Sequence, residues 1–147
     1  MNGPARLRSD PAAALVAALL CASLLSCQGG SARRALLEHR AQHSVELLSW
    51  ADRGDGALVI SLRIQGPVHS TLEVLTVEVL GLDGTGETVM SEWVTLDISE
   101  MVRGTPFDKT VVLDAEGAVL EGLAVDLHPV PDADTQRRLE ELEGISD

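Results

Sequence analysis

From residue 44 to residue 128 the chain alternates apolar and polar side chains with a period of two, and glycine, proline and aspartate interrupt the alternation at intervals. Leu58, Ile60, Leu62 and Ile64 alternate with Val59, Ser61, Arg63 and Gln65. Successive side chains of a strand point to opposite sides, so this segment sets four aliphatics on one face. Leu75, Val77 and Val79 repeat the pattern after Thr71, and Val45 to Ala51, Thr88 to Ile98, Phe107 to Leu113 and Val119 to Leu127 are further strand segments. Gly54-Asp55-Gly56, Gly66-Pro67, Asp83-Gly84-Thr85-Gly86 and Asp114-Ala115-Glu116-Gly117 fall between them. Glycine supplies positive φ there and aspartate caps its own backbone, which is the chemistry of turns. Ser99 to Gly104 reads as one helical turn between two strands. Short strands separated by such turns predict a mainly β domain, an antiparallel sandwich of six to seven strands.

The period changes at both ends of this block. Gln28-Gly29-Gly30-Ser31 has the composition of a linker, and Ala32 to Gln42 is helix-compatible, rich in Ala, Leu, Glu, Arg and Gln. At the other end Pro129-Val130-Pro131 stops a strand, Asp132 or Asp134 can cap, and Thr135 to Glu143 reads as a short helix ended by Gly144. Leu139, Leu142 and Ile145 are the side chains that would dock this helix on the sandwich. So few apolar residues give it little stability of its own, and a frayed acidic tail is the alternative.

Ahead of the linker, Arg6 and Arg8 precede an apolar stretch from Pro11 to Leu25 that is interrupted at Ser23 and ends in Ser26-Cys27-Gln28. A membrane-crossing helix needs about 20 consecutive apolar residues, whereas a basic segment before a shorter apolar run is the pattern of an export signal. Leu24, Leu25, Ser26 and Cys27 supply in order an aliphatic residue, a tolerant position, a small residue and a cysteine. This order resembles the lipobox of bacterial lipoproteins. Cys21 does not fit it, because Leu20 stands where the small residue belongs. The resemblance implies cleavage before Cys27, acylation of that cysteine, and a mature chain without a second cysteine and so without a disulfide. It also implies a lipid-anchored place in the cell envelope, and Gln28 rather than Asp after the cysteine favours the periplasmic face of the outer membrane over the inner membrane. The organisation expected is a signal peptide over 1–26, a lipidated cysteine and basic tether over 27–43, the sandwich over 44–128, and an acidic C-terminal helix or tail over 129–147.

Removing the signal sharpens the charge. The full chain has 11 basic and 23 acidic residues; without Arg6, Arg8 and Asp10 it has 9 and 22, a net of −13. Residues 28–43 hold Arg33, Arg34 and Arg40 against Glu38, a net of +2, which leaves 6 basic and 21 acidic residues and a net of −15 from Ser44 onward. Basic residues beside anionic lipid are each favoured by about 1 kcal/mol, while an acidic domain is repelled within a Debye length. A tether held against the lipid and a domain held off it follow. Such a domain also repels phosphate, which argues against a nucleic-acid partner and leaves a basic envelope protein open.

The run Val77-Glu78-Val79-Leu80-Gly81-Leu82-Asp83-Gly84-Thr85-Gly86-Glu87-Thr88-Val89, followed by Gly104-Thr105-Pro106-Phe107, resembles the small Ig-like modules of prokaryotic envelope proteins, of which FxLyD-type domains are one example. In those modules a central strand ends in an Asp-containing hairpin and a Gly-Pro-Phe-like element opens a later strand; Leu82 stands here where an aromatic is usual. The resemblance implies an Ig-like form of the sandwich and a scaffolding or interaction role.

Candidate chemistry is sparse. His39 and His43 stand four apart on the helix-compatible segment, a spacing that lets two imidazoles share a metal, but only Glu38 is adjacent and it points to another face of the helix, so no metal site is expected and two solvated histidines on a polar tether are. Asp83, Thr85 and Glu87 among glycines are similar to a fragment of a calcium loop, yet Thr88-Val89-Met90 resumes a strand where such a loop needs more ligands, so a hairpin is expected. Asp126 and His128 share a strand face, and Ser61, Ser70 and Ser91 are available hydroxyls, none of them in a Gly-x-Ser-x-Gly elbow. Trp50, Trp93 and Phe107 are the aromatics after Cys27. Trp93 shares its face with the mixed set Val89, Ser91, Thr95 and Asp97, opposite the apolar Met90, Val94, Leu96 and Ile98. It marks a partner surface if it faces solvent and is a core residue if it faces the other sheet.

No enzyme activity and no cofactor are expected from these residues. The expectation is a lipid-anchored, non-catalytic envelope domain whose sandwich offers an edge strand or the Trp93 face to another envelope protein. The alternative is an accessory subunit of an envelope complex that docks its acidic C-terminal helix on a basic partner.

Overall fold

A computed structural model describes residues 34–129 and 131–144. Residues 34–41 form helix α1. Six strands follow, β1 (Ser44–Asp52), β2 (Ala57–Gln65), β3 (Val74–Leu82), β4 (Thr88–Asp97), β5 (Phe107–Asp114) and β6 (Gly122–Asp126), and then helix α2 (Ala133–Glu143). Each strand arises from one of the periodic segments. The last of them starts at Gly122 rather than Val119, because residues 118–120 run irregularly to carry Leu120 over Gly81. The Glu121 amide then donates to Leu82 O at 2.9 Å, just ahead of the ladder.

The strands pair antiparallel in two sheets of three, ordered β1-β2-β5 and β4-β3-β6. This is an antiparallel β-sandwich of six described strands. Leu58, Ile60, Leu62 and Ile64 of the central strand β2 face Leu75, Val77 and Val79 of the central strand β3, and all seven are buried. The register aligns the inward positions across each sheet: Leu62 pairs with Leu47 and Lys109, and Val79 with Glu92 and Val125. Edge strands β4 and β5 therefore each point one charged residue, Glu92 or Lys109, into the seam. Inward charge on an edge opposes pairing with another chain's strand, and the irregularity between Leu47 and Ser49 does the same for β1.

The two ends of the sandwich differ. At one end lie Ser44, Gln65, Val74, Asp97 and Phe107, with α1 and the connections 66–73 and 98–106. At the other lie the hairpins 53–56 and 83–87 and the connection 115–121, where Ala115 N–H reaches Gly56 O at 2.8 Å.

Of the two cap candidates, Asp132 caps α2. Its carboxylate accepts from Thr135 N at 2.9 Å and Asp134 N at 3.0 Å, and these bonds hold it below the usual carboxylate range. Gly144, in the left-handed region at φ 67°, ends the helix. Leu139 is fully buried, Leu142 is exposed, and Ile145 lies outside the described residues.

A buried ion pair joins both helices to the outer face of sheet β4-β3-β6. Arg40 of α1, 1 % exposed, pairs with Glu143 of α2 and donates to the carbonyls of Thr76 and, at 2.8 Å, Leu127. The same Glu143 oxygen accepts from Thr76 N at 2.8 Å. Burial pushes the Arg40 guanidinium down from its ordinary value and Glu143 pulls it back up; arginine keeps its charge under both. Residues 35–43, read from sequence as tether, thus belong to the same compact unit as the strands.

Gly81 tests the packing. A Cβ there would stand 2.6 Å from Leu120 Cδ2 and 3.0 Å from Met90 Cβ, so Gly81→Ala should lower the unfolding free energy by about 1–3 kcal/mol, read from urea denaturation. A midpoint that does not move would contradict this account of the 118–120 detour.

Candidate interaction site on the outer face

Strand parity sends Ser91, Trp93 and Thr95 of β4, Thr76, Glu78 and Leu80 of β3, and Ala124 and Asp126 of β6 to the outer face of their sheet. In the other direction Met90 and Leu96 are buried in the core, as their cleaner apolar pattern predicts. Trp93 is half-buried. His128 stacks on it, with centroids 5.3 Å apart and planes 17° from parallel, and the Arg138 guanidinium of α2 sits 5.2 Å from its centroid. Trp93 is thus neither a core residue nor a bare surface ring.

His128 reaches that position through a strained backbone. Its φ of 49° is uncommon for a non-glycine residue and costs on the order of 1 kcal/mol. The turn is held by Asp126, whose Oδ1 accepts from His128 N at 2.9 Å. The imidazole then lies between two carboxylates, with Nε2 2.7 Å from Glu78 Oε2 and Nδ1 3.6 Å from Asp126 Oδ2. Ser91 donates to Glu78 Oε1 at 2.6 Å. The hydroxyl therefore serves the carboxylate and not the imidazole, which is not the order of a nucleophilic triad.

Beside this cluster runs an open groove of about 600 Å³, walled by Glu78, Ser91 and Trp93 on the sheet and by Asp134, Arg137, Arg138 and Glu141 on α2. Arg137 pairs with Asp134 within the helix. The groove offers an aromatic edge, two cationic and several acidic groups over a shallow floor, a surface suited to a polar, extended segment of another chain.

The other sequence candidates fall elsewhere. His39 and His43 do not converge on a shared site. His43 is buried, its Nδ1 donates to His39 O at 2.8 Å, and its Nε2 then accepts the Ser70 hydroxyl at 3.0 Å. His39 Nδ1 meets Thr71 Oγ1 at 3.3 Å. The Ser70–His43 pair has hydroxyl-to-imidazole geometry between two buried side chains, with His43 directly beneath Gly66, and it pins the end of α1 to the 66–73 connection. It joins residues 27 apart, and no local spacing signals it.

Asp83 closes its own hairpin. Its Oδ1 accepts from the Thr85 hydroxyl at 2.6 Å, Thr85 N at 2.8 Å and Glu87 N at 3.0 Å, bonds that hold it below the usual carboxylate range. Among the described residues no group of three or more His, Cys, Asp or Glu is placed to hold a metal ion, and no helix is long and apolar enough to cross a membrane. Leu24, Leu25, Ser26, Cys27 and Arg33 lie outside the described residues.

Comparison of the chain with protein-family models, with curated proteins and with solved structures gives no match.

The Trp93 stack has an optical signature. In a Trp50→Phe background, His128→Ala should move the Trp93 emission to longer wavelength and make it easier to quench with iodide, because one ring of its cover is gone. Emission and quenching that stay as they were would contradict the stacked arrangement.

Proposed function

We propose that this chain is a lipid-anchored, non-catalytic envelope lipoprotein whose sandwich is a protein-interaction module. The observation that carries the reading is the order Leu24-Leu25-Ser26-Cys27 at the close of an apolar run behind Arg6 and Arg8. An acyl anchor of more than one chain gives stable membrane attachment without a transmembrane helix. The acidic balance from Ser44 onward supports a partner of basic overall charge and opposes nucleic acid.

The interaction surface in this reading is the groove between Trp93 and α2. Aromatic and arginine side chains dominate the binding energy of protein interfaces, and Trp93, Arg137 and Arg138 meet there. Docking by the sandwich face and docking by the C-terminal helix then become one surface, since α2 turns Leu139 and Glu143 into its own domain and presents Asp134, Arg138 and Glu141 outward.

The test is fractionation. The wild-type protein should sediment with membranes and extract only with detergent, and Cys27→Ser should move it to the soluble fraction. A Cys27→Ser variant that stays membrane-bound would overturn the anchor and with it the reading.

A further inference from the structure

We propose that His128 is a pH-operated latch on the first half of α2, closed while the imidazole carries a proton on both nitrogens and released when one of them leaves. The latch sits at the edge of the groove between Trp93 and α2, and its meaning for docking rests on that groove being the interaction surface proposed above.

α2 is held unevenly. Its second half is fixed, with Leu139 and Glu140 buried and Glu143 paired with Arg40 and bonded to Thr76 N. From Ala133 to Arg138 no residue is buried, Arg137 pairs with Asp134 inside the helix, and Gln136 donates to Glu140. This first half meets the sheet through Arg138, which lies over the Trp93 ring. At its N-terminus the cap Asp132 is held below the usual carboxylate range, by the Thr135 amide first and by the charge of His128 among the lesser causes. The ring on which Arg138 rests is the ring on which His128 stacks.

The surroundings of His128 ask for the charged ring. Nε2 is 2.7 Å from Glu78 Oε2 on β3, Nδ1 is 3.6 Å from Asp126 Oδ2 on β6, and Asp132 of α2 is the third carboxylate that feels its charge. Ser91 of β4 donates to the other Glu78 oxygen and leaves Oε2 to the imidazole. The cations nearby are Arg138, on the Trp93 face, and Arg40, which bonds the carbonyl of the adjoining Leu127 and is matched by Glu143. A neutral imidazole has one N–H and turns a lone pair toward one of its carboxylates, whereas an imidazolium donates at both nitrogens.

The backbone supplies the release. His128 sits at φ 49°, a conformation that persists only where the surroundings hold it, and the holding contacts are the Asp126 turn, Glu78 and the Trp93 stack. Carboxylates bind the charged ring more tightly than the neutral one, so the hold is present at lower pH, with the carboxylates still ionised, and falls away as pH rises. The ring then leaves Trp93 and the cap. α2 stays attached through Arg40 and Glu143, its first half loosens, and the groove opens along its Asp134 to Arg138 wall.

The test uses the full chain in detergent with Trp50→Phe, so that Trp93 is the one tryptophan, from about pH 5.5 to about pH 8.5. Acrylamide, an uncharged quencher, reads access to Trp93, and hydrogen exchange, corrected for its intrinsic pH dependence, reads α2. On raising the pH, quenching of Trp93 should increase and the amides of residues 136–138 should lose protection, while those of residues 141–143 keep theirs. His128→Gln, which retains an N–H donor and has no titrating ring, should show neither change. Quenching that titrates while exchange across α2 stays flat would mean that the ring changes charge without moving the helix, and overturns the latch. Two flat profiles, or the same titration in His128→Gln, overturn it as well, and the wild-type ring at position 128 decides the matter whether or not that variant folds. None of these results touches the interaction reading, which fails instead through Cys27→Ser.

Discussion

The outer layer of this domain hangs on one buried ion pair. Arg40 and Glu143 come from opposite ends of the described chain and meet on a sheet face that would otherwise present Thr76 and its neighbours to water. Removing a guanidinium and a carboxylate from solvent costs several kcal/mol per ion, and the cost is offset only where each remaining polar position is filled. Here the Thr76 and Leu127 carbonyls and the Thr76 amide fill most of them; Arg40 Nε is left without a partner. The pair thereby does what the few apolar residues of α2 cannot do alone. It turns a segment too short and too polar for independent helicity into the second wall of the Trp93 groove.

The same contact ties α1 to the helix that covers the Trp93 face. α1 leads back in sequence toward Cys27, and α2 carries Arg138 onto Trp93. Burial of Arg40 and His43 pins α1 in one place against the domain that carries the groove.

Much of the fold was legible in the sequence because strands report locally. The alternation in Leu58 to Ile64, and the opposed sets around Trp93, follow from the period of the pleat, and they place six strands and the facing of β4. The Asp83 hairpin was legible for the same reason, since its hydrogen bonds close within four residues. What escaped was long in range. Arg40 reads as one more basic residue of a tether, and its partners lie 36, 87 and 103 residues away. His43 reads as one more solvated histidine of a polar tether until Ser70 is brought to it by the β2–β3 connection. Trp93 could be assigned to a face, but its covering by His128 depends on a positive φ that follows no simple residue preference.

The most direct test of the account is a double-mutant cycle on Arg40 and Glu143, followed by chemical denaturation of the domain. Arg40→Met and Glu143→Gln should each lower the unfolding free energy by about 3–5 kcal/mol, because each leaves the other group buried without its partner, and the double variant should lose far less than the two losses added together. Two losses below about 1 kcal/mol that simply add, the behaviour of an exposed pair, would contradict it.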